Sequence, residues 1–307
     1  MKEYKVSIII PSFNNFSLLK DCLNSLENCT QGISYEVIIV DNNSDEGTLN
    51  YLRSIKRTNY TIIYNKENLG FAKANNQGIK TAVGDYLVLL NNDTEVTNNW
   101  LDELIAVAES EEQIGIVGSL LFYPDGKHIQ HAGVRVAINN RGGLWPYHTH
   151  SLDYYPDLYN EIKTEQFQAV TGACMLVKRN TVNKIGLLDE GFINGYEDVD
   201  FCFRANSKGL KVFLAHKSKV YHYESMSKGR GDHYELNQNL LDKKWGGIIK
   251  SDVSFMHFIF EKDPIKRTYM KGIRHQSQLM PKFIAALGKR TTRRLERLSK
   301  YFSVVIN

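Results

Sequence analysis

The sequence predicts an α/β fold, in which a doubly wound and mostly parallel sheet is flanked by helices and followed by a basic helical C-terminal extension. Short β-branched or leucine-rich runs alternate with amphipathic stretches over the first 120 residues, and most of these runs end at turn residues. This alternation is typical of βαβ units. The extension is predicted from charge, because residues 262–307 hold 12 Lys and Arg against 2 Asp and Glu while the rest of the chain is net acidic.

Five apolar runs predict buried parallel strands, at residues 6–10, 36–40, 61–64, 86–90 and 114–117. The segments between them predict helices at residues 18–26, 48–55, 71–81 and 100–108. Right-handed crossovers then place these helices on the faces of one sheet. Ligands of such sheets bind beyond the carboxyl ends of the strands, so the residues directly after each strand are the first candidates for a site.

The regular alternation breaks between residues 123 and 167, where glycines, prolines and tyrosines leave no clean period. A long irregular segment inside a compact domain is often a lid or a binding loop. Beyond it, the pattern predicts strands at residues 172–177 and 211–215 and helices at residues 197–208 and 232–245. Residues 262–300 are predicted to be helical and basic.

Composition and length exclude several classes of protein. The chain has 307 residues, 42% hydrophobic and 23% charged, which is typical of a globular protein with a sizeable core. No stretch approaches the ~20 apolar residues of a membrane span. The first apolar run ends at Pro11 and is too short for a signal-peptide core, so we expect a cytoplasmic protein. The four cysteines form no C-x-x-C pair, so we expect buried free thiols.

Polar side chains follow each of the first four predicted strands. The segments are PSFNN at 11–15, DNNSD at 41–45, NKEN at 65–68 and NNDT at 91–94. Asparagine and aspartate favour turns, so four well-formed loops are one interpretation. The other is a binding site, because Asp41 and Asp93 fall on one rim of the sheet. No glycine-rich phosphate loop is present, so a bound diphosphate needs another partner, which Mg²⁺ or Mn²⁺ held by Asp93 would supply.

Taken together and in this order, seven segments resemble the inverting family 2 glycosyltransferases, which have the GT-A fold, and in particular their bacterial rhamnosyltransferase-like branch. The matching segments are VSIIIPSFN at 6–14, VDNNS at 40–44, N-x-x-N-x-G-F at 65–71, LNNDT at 90–94, GACM at 172–175, EDVD at 197–200 and His222. The resemblance covers residues 5–225. It implies a GT-A domain over residues 1–250, with a nucleotide-sugar half at 1–120 and an acceptor half at 121–250, before an extension at 251–307.

The resemblance assigns roles on the donor side. It implies that a nucleotide-sugar donor is bound by Pro11, Ser12, Asn14, Asp41, Asn68, Gly70, Asn91 and Asn92. Asp41 would hold the base or the ribose. Asp93 matches the last acid of the family's D-x-D signature and would bind Mn²⁺ or Mg²⁺, with His222 as a further metal or diphosphate contact. The first acid of that signature is replaced by Asn91, which reduces the charge offered to the metal. His222 is also open to a purely structural interpretation.

On the acceptor side, the resemblance implies that Asp198 is the catalytic base. Inversion requires a base near the acceptor hydroxyl, because the hydroxyl must lose its proton as it attacks the anomeric carbon. Glu197 is predicted to contact the acceptor. Both carboxylates open a predicted helix, so a second interpretation is that they complement its dipole. Trp145 is predicted either to stack on an acceptor sugar or to pack structurally, and His148 with His150 either to bind metal or to lie on a solvated loop.

The sequence therefore predicts an inverting glycosyltransferase that moves a sugar from dTDP-rhamnose or a UDP-hexose to a hydroxyl of a glycan or a lipid-linked acceptor, in bacterial surface polysaccharide synthesis. Two alternatives stay open: a catalytically silent nucleotide-sugar binding module, and a nucleotidyltransferase, although residues 11–16 lack the basic glycine-rich loop of that class. The basic tail is predicted to contact anionic lipid at the inner membrane face, or else to be a solvated helix or to pack on another subunit of a homo-oligomer. No nucleic-acid partner is expected.

Overall fold

The computed structural model describes residues 4–138, 142–151, 153–158, 161–223 and 232–252. The strands are β1 (Val6–Ser12), β2 (Tyr35–Asp41), β3 (Tyr60–Tyr64), β4 (Tyr86–Leu90), β5 (Thr94–Val96), β6 (Ile114–Phe122), β7 (Ile129–His131), β8 (Val134–Ile138), β9 (Leu144–His148), β10 (Glu165–Phe167), β11 (Cys174–Lys178) and β12 (Lys211–His222). The helices are α1 (Phe16–Cys29), α2 (Glu46–Ser54), α3 (Gly70–Thr81), α4 (Trp100–Ser110), α5 (Tyr155–Leu158), α6 (Arg179–Ile185), α7 (Glu197–Ser207) and α8 (Tyr234–Trp245). The predicted basic extension lies outside the described residues from position 253 onward.

One sheet of mixed direction carries the fold. Its strands follow the order β10-β12-β6-β11-β4-β1-β2-β3, with β5 paired to β12 and β7 paired to β6. Strands β1 to β4 are parallel to their neighbours in that group, and β12 is parallel to β6. Strand β11 runs antiparallel to both β4 and β6. The predicted doubly wound, mostly parallel sheet flanked by helices is confirmed.

Alternate side chains of the central strands enter two different cores, which is why the middle of these strands is apolar. In β1, Ile8 and Ile10 pack in the core that also holds Trp100 of α4, while Ile9 lies in the opposite core with Phe201 of α7. All three isoleucines are fully buried. A strand covered on both faces needs an apolar residue at every position, whereas a strand covered on one face alternates.

The antiparallel strand β11 lies between β4 and β6 and links them in the sheet. Its first residue, Cys174, pairs with Leu90 at the carboxyl end of β4, and the next, Met175, pairs with Gly118 of β6. The backbone N–H of Asn91 also donates to the carbonyl oxygen of Ala173, at 3.0 Å. Because β11 begins at the edge where β4 ends, the loop before β11 reaches the same rim as the polar residues after β4.

The irregular segment of the sequence contains more regular structure than its composition indicates. It includes β7, α5, β10 and a two-stranded sheet, β8–β9. The N–H of Val134 donates to the carbonyl oxygen of Ala169 at 2.9 Å, and Gln238 of α8 donates to the carbonyl oxygen of Leu144 at 2.8 Å. The β8–β9 hairpin is therefore attached to the main body at both ends, which two strands of five residues do not reveal in sequence.

The predicted strand at residues 211–215 continues much further, to His222. A register shift between Ala215 and Lys219 interrupts its pairing with β6, after which Val220 and Tyr221 pair with β6 again and with β5. Tertiary pairing therefore extends a strand whose sequence is interrupted by the polar stretch at 216–219. This extension carries His222 to the rim of the sheet.

The buried-thiol prediction is confirmed for three of the four cysteines. Cys22, Cys174 and Cys202 are buried and Cys29 is half-buried, and all four are free. Burial raises the pKa of Cys22 and of Cys174 to about 12, so both remain protonated at neutral pH.

We predict that Gly78→Ala lowers the free energy of unfolding by about 1–3 kcal/mol, although alanine is the better helix former. A Cβ at Gly78 of α3 would lie 2.3 Å from Cγ2 of Ile9, a fully buried side chain in the middle of β1. Urea denaturation followed by circular dichroism measures the difference. Gly47→Ala is the matched control, because the same added methyl group on α2 meets only Asp45 Oδ1 at 3.5 Å. Equal stability of the two variants would contradict the close packing of α3 on β1.

Candidate active site

A cleft of about 570 Å³ opens at the carboxyl edge of the parallel strands. Strand β1 lies between β2 and β4, and the chain returns from β3 to β4 on the other side of β1. This reversal of strand order separates the loops that follow β1 and β4, which is where ligands of doubly wound sheets bind. The predicted site residues that line the cleft are Pro11, Ser12, Asn68, Gly70, Asn91, Asn92, Asp93, Glu197, Asp198 and His222.

Three predicted site residues, Asn14, Asp41 and Trp145, do not line the cleft. Asn14 instead ties two loops together: its N–H donates to Ser44 Oγ at 2.8 Å, and its Oδ1 accepts from the N–H of Asp45 at 2.7 Å. Asn14 therefore supports the rim beneath the cleft, and its positive φ of 58° fits the tolerance of asparagine for the left-handed region.

Asp41 ends β2 immediately below the rim and is 1% exposed. Its Oδ2 accepts a hydrogen bond from the N–H of Ser44 at 3.3 Å, and its Oδ1 has no hydrogen-bond partner among the described residues. Buried carboxylate oxygens are rarely left without a donor, so this orphaned oxygen is suited to a ligand N–H or O–H. Its neighbour Asn42 does line the cleft.

The strongest polar cluster in the cleft is formed by Asn91, Asp93 and His222. His222 Nε2 lies 3.2 Å from Asp93 Oδ1 and 3.2 Å from Asn91 Nδ2. The imidazole is nearly buried, and its Nδ1 lies 2.6 Å from Gln130 Oε1. Because an amide oxygen only accepts, Nδ1 of His222 donates to Gln130, which leaves Nε2 to face Asp93 and Asn91. This arrangement is typical of a metal-ligating histidine held by an outer partner.

Gln130 was not predicted from the sequence, because a single glutamine in a three-residue strand carries no recognisable signal. It holds His222 at two points, accepting from Nδ1 and donating from Nε2 to the His222 carbonyl oxygen at 3.1 Å. Asn91 adds a buried Oδ1 that has no hydrogen-bond partner among the described residues. No group of three or more His, Cys, Asp or Glu suited to a metal occurs in the described part of the chain, so this cluster offers one carboxylate, one imidazole and one amide oxygen.

Asp198 lies in the first turn of α7, across the cleft from β1. Its Oδ2 accepts from the N–H of Gly172 at 2.8 Å, and its Oδ1 accepts from the N–H of Val199 at 2.8 Å. A Cβ at Gly172 would lie 3.1 Å from the ring of Phe71 and 3.4 Å from Cβ of Asp198, so the glycine lets this backbone approach the carboxylate. Asp198 thus both opens a helix and lines the cleft.

Glu197 is 5% exposed and holds the turn that leads into α7. Its Oε2 accepts from the N–H of Gly195 at 2.6 Å. The turn contains two non-glycine residues in the left-handed region, Asn194 at φ 50° and Tyr196 at φ 70°. Asn194 Oδ1 also accepts from the N–H of Phe71 at 3.0 Å. A strained turn of this kind persists only where its surroundings fix it, and here it is fixed at the cleft.

Asp200 has a structural role that contrasts with that of Asp198. It is fully buried and accepts from Arg204 Nε at 2.9 Å and from Trp245 Nε1 at 2.9 Å, with Lys244 Nζ 2.6 Å away. Arg204 in turn donates to the carbonyl oxygens of Ile185 and Leu187. The cluster ties α7 to α8 and to the end of α6 and takes no part in the cleft.

The predicted acceptor contact Trp145 lies on β9 with its side chain 42% exposed, outside the residues that line the cleft. The three residues after it, Pro146, Tyr147 and His148, do line the cleft. The predicted pair of His148 and His150 has different partners: Nδ1 of His148 faces a buried histidine, while His150 Nδ1 lies 3.0 Å from Asp153 Oδ2. The strand direction alone could not show which side of the hairpin meets the cleft.

The family model of glycosyl transferase family 2 matches residues 7–186. The chain belongs to glycosyl transferase family 2. Among its relatives are the O-antigen biosynthesis protein RfbC of Myxococcus xanthus, 33% identical over 73% of this chain and 18% of RfbC, and the N-acetylglucosaminyl-diphospho-decaprenol L-rhamnosyltransferase of Mycobacterium tuberculosis, 25% identical over 63% of this chain and 68% of that enzyme. The predicted family is confirmed.

The fold of this family member is shared by solved glycosyltransferases. The mannosyltransferase PcManGT of Pyrobaculum calidifontis, solved with GDP-Man and Mn²⁺, superposes with a TM-score of 0.57 over 99% of this chain and 81% of that chain, at 16% identity. The likeness shows the GT-A fold. The chain spans a quarter or less of the length of two curated relatives, RfbC among them. Across the described residues, no helix combines the length and apolarity that crossing a membrane requires.

We predict that Asp200→Asn destabilises the protein by about 3 kcal/mol or more, because Arg204 and Lys244 lose their buried counter-charge. Asp198→Asn is expected to cost about 1.5 kcal/mol or less, since the half-buried side chain loses one backbone hydrogen bond. Thermal unfolding by differential scanning calorimetry compares the two isosteric changes. A larger loss in Asp198→Asn than in Asp200→Asn would contradict this division between site and scaffold.

Proposed function

We propose that this family 2 member is an inverting, metal-dependent glycosyltransferase, which moves a sugar from a nucleotide-diphosphate sugar to a hydroxyl of a glycan or a lipid-linked acceptor in bacterial surface polysaccharide synthesis. The observation that carries the proposal is the placing of Asp93 with His222 and of Asp198 in one cleft at the strand-order reversal. Names of relatives that act on O-antigen and on a decaprenol-linked glycan support this substrate class.

The charge of the cleft supports a cation as part of the donor site. The described lining residues include three carboxylates, Asp93, Glu197 and Asp198, and neither lysine nor arginine. The described lining would by itself repel a diphosphate unless a cation accompanied it. Asp93, His222 Nε2 and the orphaned Asn91 Oδ1 fit a hard divalent ion such as Mn²⁺ or Mg²⁺, whose other ligands would be phosphate oxygens and water. Such an ion stabilises the charge that develops on a leaving diphosphate.

The donor nucleotide is assigned to the rim after β1 and β2. Ser12 is 1% exposed and accepts from Asn92 Nδ2 at 3.5 Å, which places the end of β1 against the loop that carries Asp93. Asp41, with its orphaned oxygen, supplies an acceptor for the N–H of a base or the hydroxyl of a ribose. Asn68 Oδ1 accepts from the N–H of Gly70 at 2.9 Å, and both residues line the cleft.

Asp198 is assigned as the base that takes the proton of the attacking acceptor hydroxyl. Two backbone N–H groups fix its carboxylate, so its remaining lone pairs keep one orientation toward the cleft. The bond from the acceptor oxygen to the anomeric carbon forms as the bond to the diphosphate breaks. Attack on the face opposite the leaving group inverts the configuration, and the proton passes to Asp198.

The finer parts of the assignment rest on the resemblance and on the names of relatives. The donor is proposed to be dTDP-rhamnose, in line with the rhamnosyltransferase relative, or a UDP-hexose. A cytoplasmic location and a homo-oligomer stay predictions. Contact of the basic tail with the inner membrane face also stays a prediction, since residues 253–307 lie outside the described chain. The one observation that favours a catalytically silent binding module is Asn91 in place of an acid.

We predict that one of UDP, dTDP and GDP binds in the presence of Mn²⁺ and that EDTA weakens this binding at least 10-fold, because the cleft's described residues hold no Lys or Arg to neutralise a diphosphate. Asp93→Asn is expected to weaken Mn²⁺-dependent binding by a similar factor. Isothermal titration calorimetry measures both effects.

Asp102→Asn serves as the matched control, since Asp102 is exposed on α4 and does not line the cleft. Binding that is equally tight with EDTA and in Asp93→Asn would overturn the metal assignment. Absence of binding by the folded wild-type protein would overturn the donor site.

We predict that Asp198→Asn lowers the rate of sugar transfer by about 10²–10⁴-fold while the Kd of the Mn²⁺–nucleotide complex stays within twofold. The amide keeps the shape of the side chain and lacks a basic oxygen. A coupled assay that follows the release of nucleoside diphosphate from the donor measures the rate. If Asp198→Asn retains more than a tenth of the wild-type rate, Asp198 is not the base. Glu197→Gln is measured beside it, because Glu197 is the neighbouring carboxylate in the cleft.

A further inference from the structure

An exposed tyrosine that lines the cleft has no role in the mechanism above. Tyr234 opens α8, and its side chain is 45% exposed. Among the described residues, two exposed aromatic side chains line the cleft, Phe13 and Tyr234. Phe13 follows β1, at the rim to which the donor nucleotide is assigned. Tyr234 belongs to a different element and supplies an accessible aromatic ring for another part of the substrate.

The ring of Tyr234 lies beside the turn that leads into α7. Its centroid is 6.2 Å from that of Tyr196, and the two ring planes meet at 51°. Tyr196 also lines the cleft and comes two residues before the assigned base, Asp198. The exposed ring is therefore on the side of the cleft to which the acceptor is assigned.

Hydrogen bonds hold α8 against that turn. Asn237 Oδ1 accepts from the N–H of Ile193 at 3.0 Å, and its Nδ2 donates to the carbonyl oxygen of Ile193 at 2.8 Å. The hydroxyl of Tyr196 donates to Gln238 Oε1 at 3.0 Å. Residues three and four positions apart share one face of a helix, so Tyr234 lies on the same face as Asn237 and Gln238. The element that carries the ring is thus fixed next to the base before a ligand binds.

The surroundings of the ring suit a sugar better than a lipid chain. The amide side chains of Asn194 and Asn237 line the cleft together with Tyr234, and Asn194 is exposed. A pyranose has C–H groups on its faces and hydroxyl groups at its edge, and the negative face of an aromatic ring attracts the positively polarised C–H groups. An alkyl chain would take water from the exposed amide without replacing its hydrogen bonds.

We propose that Tyr234 is the platform of an acceptor subsite, on which one face of a pyranose ring of the acceptor stacks. This inference rests on the proposed function and specifies the acceptor side of that same site. It gives to Tyr234 the stacking role that the sequence predicted for Trp145, which lies outside the cleft lining. Stacking selects the face of the sugar, and the attacking hydroxyl is then presented to Asp198 in one orientation.

The first test is direct contact between protein and sugar, which needs no turnover. Saturation-transfer difference NMR is recorded on the full chain with Mn²⁺, the nucleotide that binds, and methyl glycosides of rhamnose, glucose, galactose and N-acetylglucosamine. At least one sugar is expected to receive saturation, mainly on the C–H protons of one face, and Tyr234→Ala is expected to lose this pattern. No saturation of any sugar by protein that binds nucleotide, or an unchanged pattern in Tyr234→Ala, overturns the proposal.

The second test separates binding of the acceptor from binding of the donor. Tyr234→Ala is expected to raise the KM for the responding methyl glycoside about 10-fold, because the platform is removed, with the Kd of Mn²⁺–nucleotide within twofold. Tyr234→Phe keeps the ring without the hydroxyl and is expected to stay within threefold of wild type. Tyr64→Ala is the matched control, because Tyr64 is 47% exposed on β3 and does not line the cleft.

A KM in Tyr234→Ala equal to that of wild type would overturn the platform, and so would an equal loss in Tyr234→Phe, since the hydroxyl and not the ring would then make the contact. A loss seen with octyl glycosides but not with methyl glycosides would assign the ring to a lipid chain and also overturn it. Failure of the wild-type protein to bind any nucleotide would instead remove the proposed function, while saturation transfer to the sugars alone would still report on Tyr234.

Discussion

The antiparallel pairing of β11 with β4 and β6 is the constraint on which the rest of the cleft depends. Parallel strands deliver their functional loops to one edge of a sheet, and only a strand of the opposite direction can start at that edge. β11 starts there, at Cys174 opposite Leu90, so the loop at 171–173 faces the ends of β1 and β4. That loop holds Asp198 through Gly172 and His131 through Thr171. Residues before and after β11 thus share one wall of the cleft.

The charged groups of the cleft lie at two separate places, which correspond to the two roles proposed for them. Asp93 and His222 lie at the end of β4, where the leaving diphosphate is assigned, and Asp198 lies on α7, where the attacking hydroxyl is assigned. Asn91 removes one negative charge from the metal end but keeps an oxygen, which the structure leaves without a hydrogen-bond partner among the described residues. Fewer charges at a metal lower its affinity, so donor and cation are expected to bind as one complex.

Buried polar side chains outside the cleft hold these groups in place. Gln130 fixes the ring of His222 at two points, and the Asp200 cluster anchors α7 through Arg204 and Trp245. Removing either support would displace His222 or α7, on which the proposed metal ligand and the proposed base lie. The left-handed turn before α7 is part of the same scaffold, since Tyr196 at φ 70° adopts a conformation that only its surroundings can hold.

The sequence by itself determined five strands and four helices of the first 120 residues but missed the three-residue β5. It succeeded for β1, β2, β4 and β6 because strands covered on both faces are mostly apolar. It also indicated Asp93, Asp198 and His222 as candidate site residues, since each lies at the end of a strand or at the start of a helix. Only the tertiary structure decided that Trp145, Asn14 and Asp41 lie outside the cleft lining, and that Gln130 holds the ring and the carbonyl oxygen of His222. Those roles depend on contacts between residues up to 92 positions apart, which local pattern cannot encode.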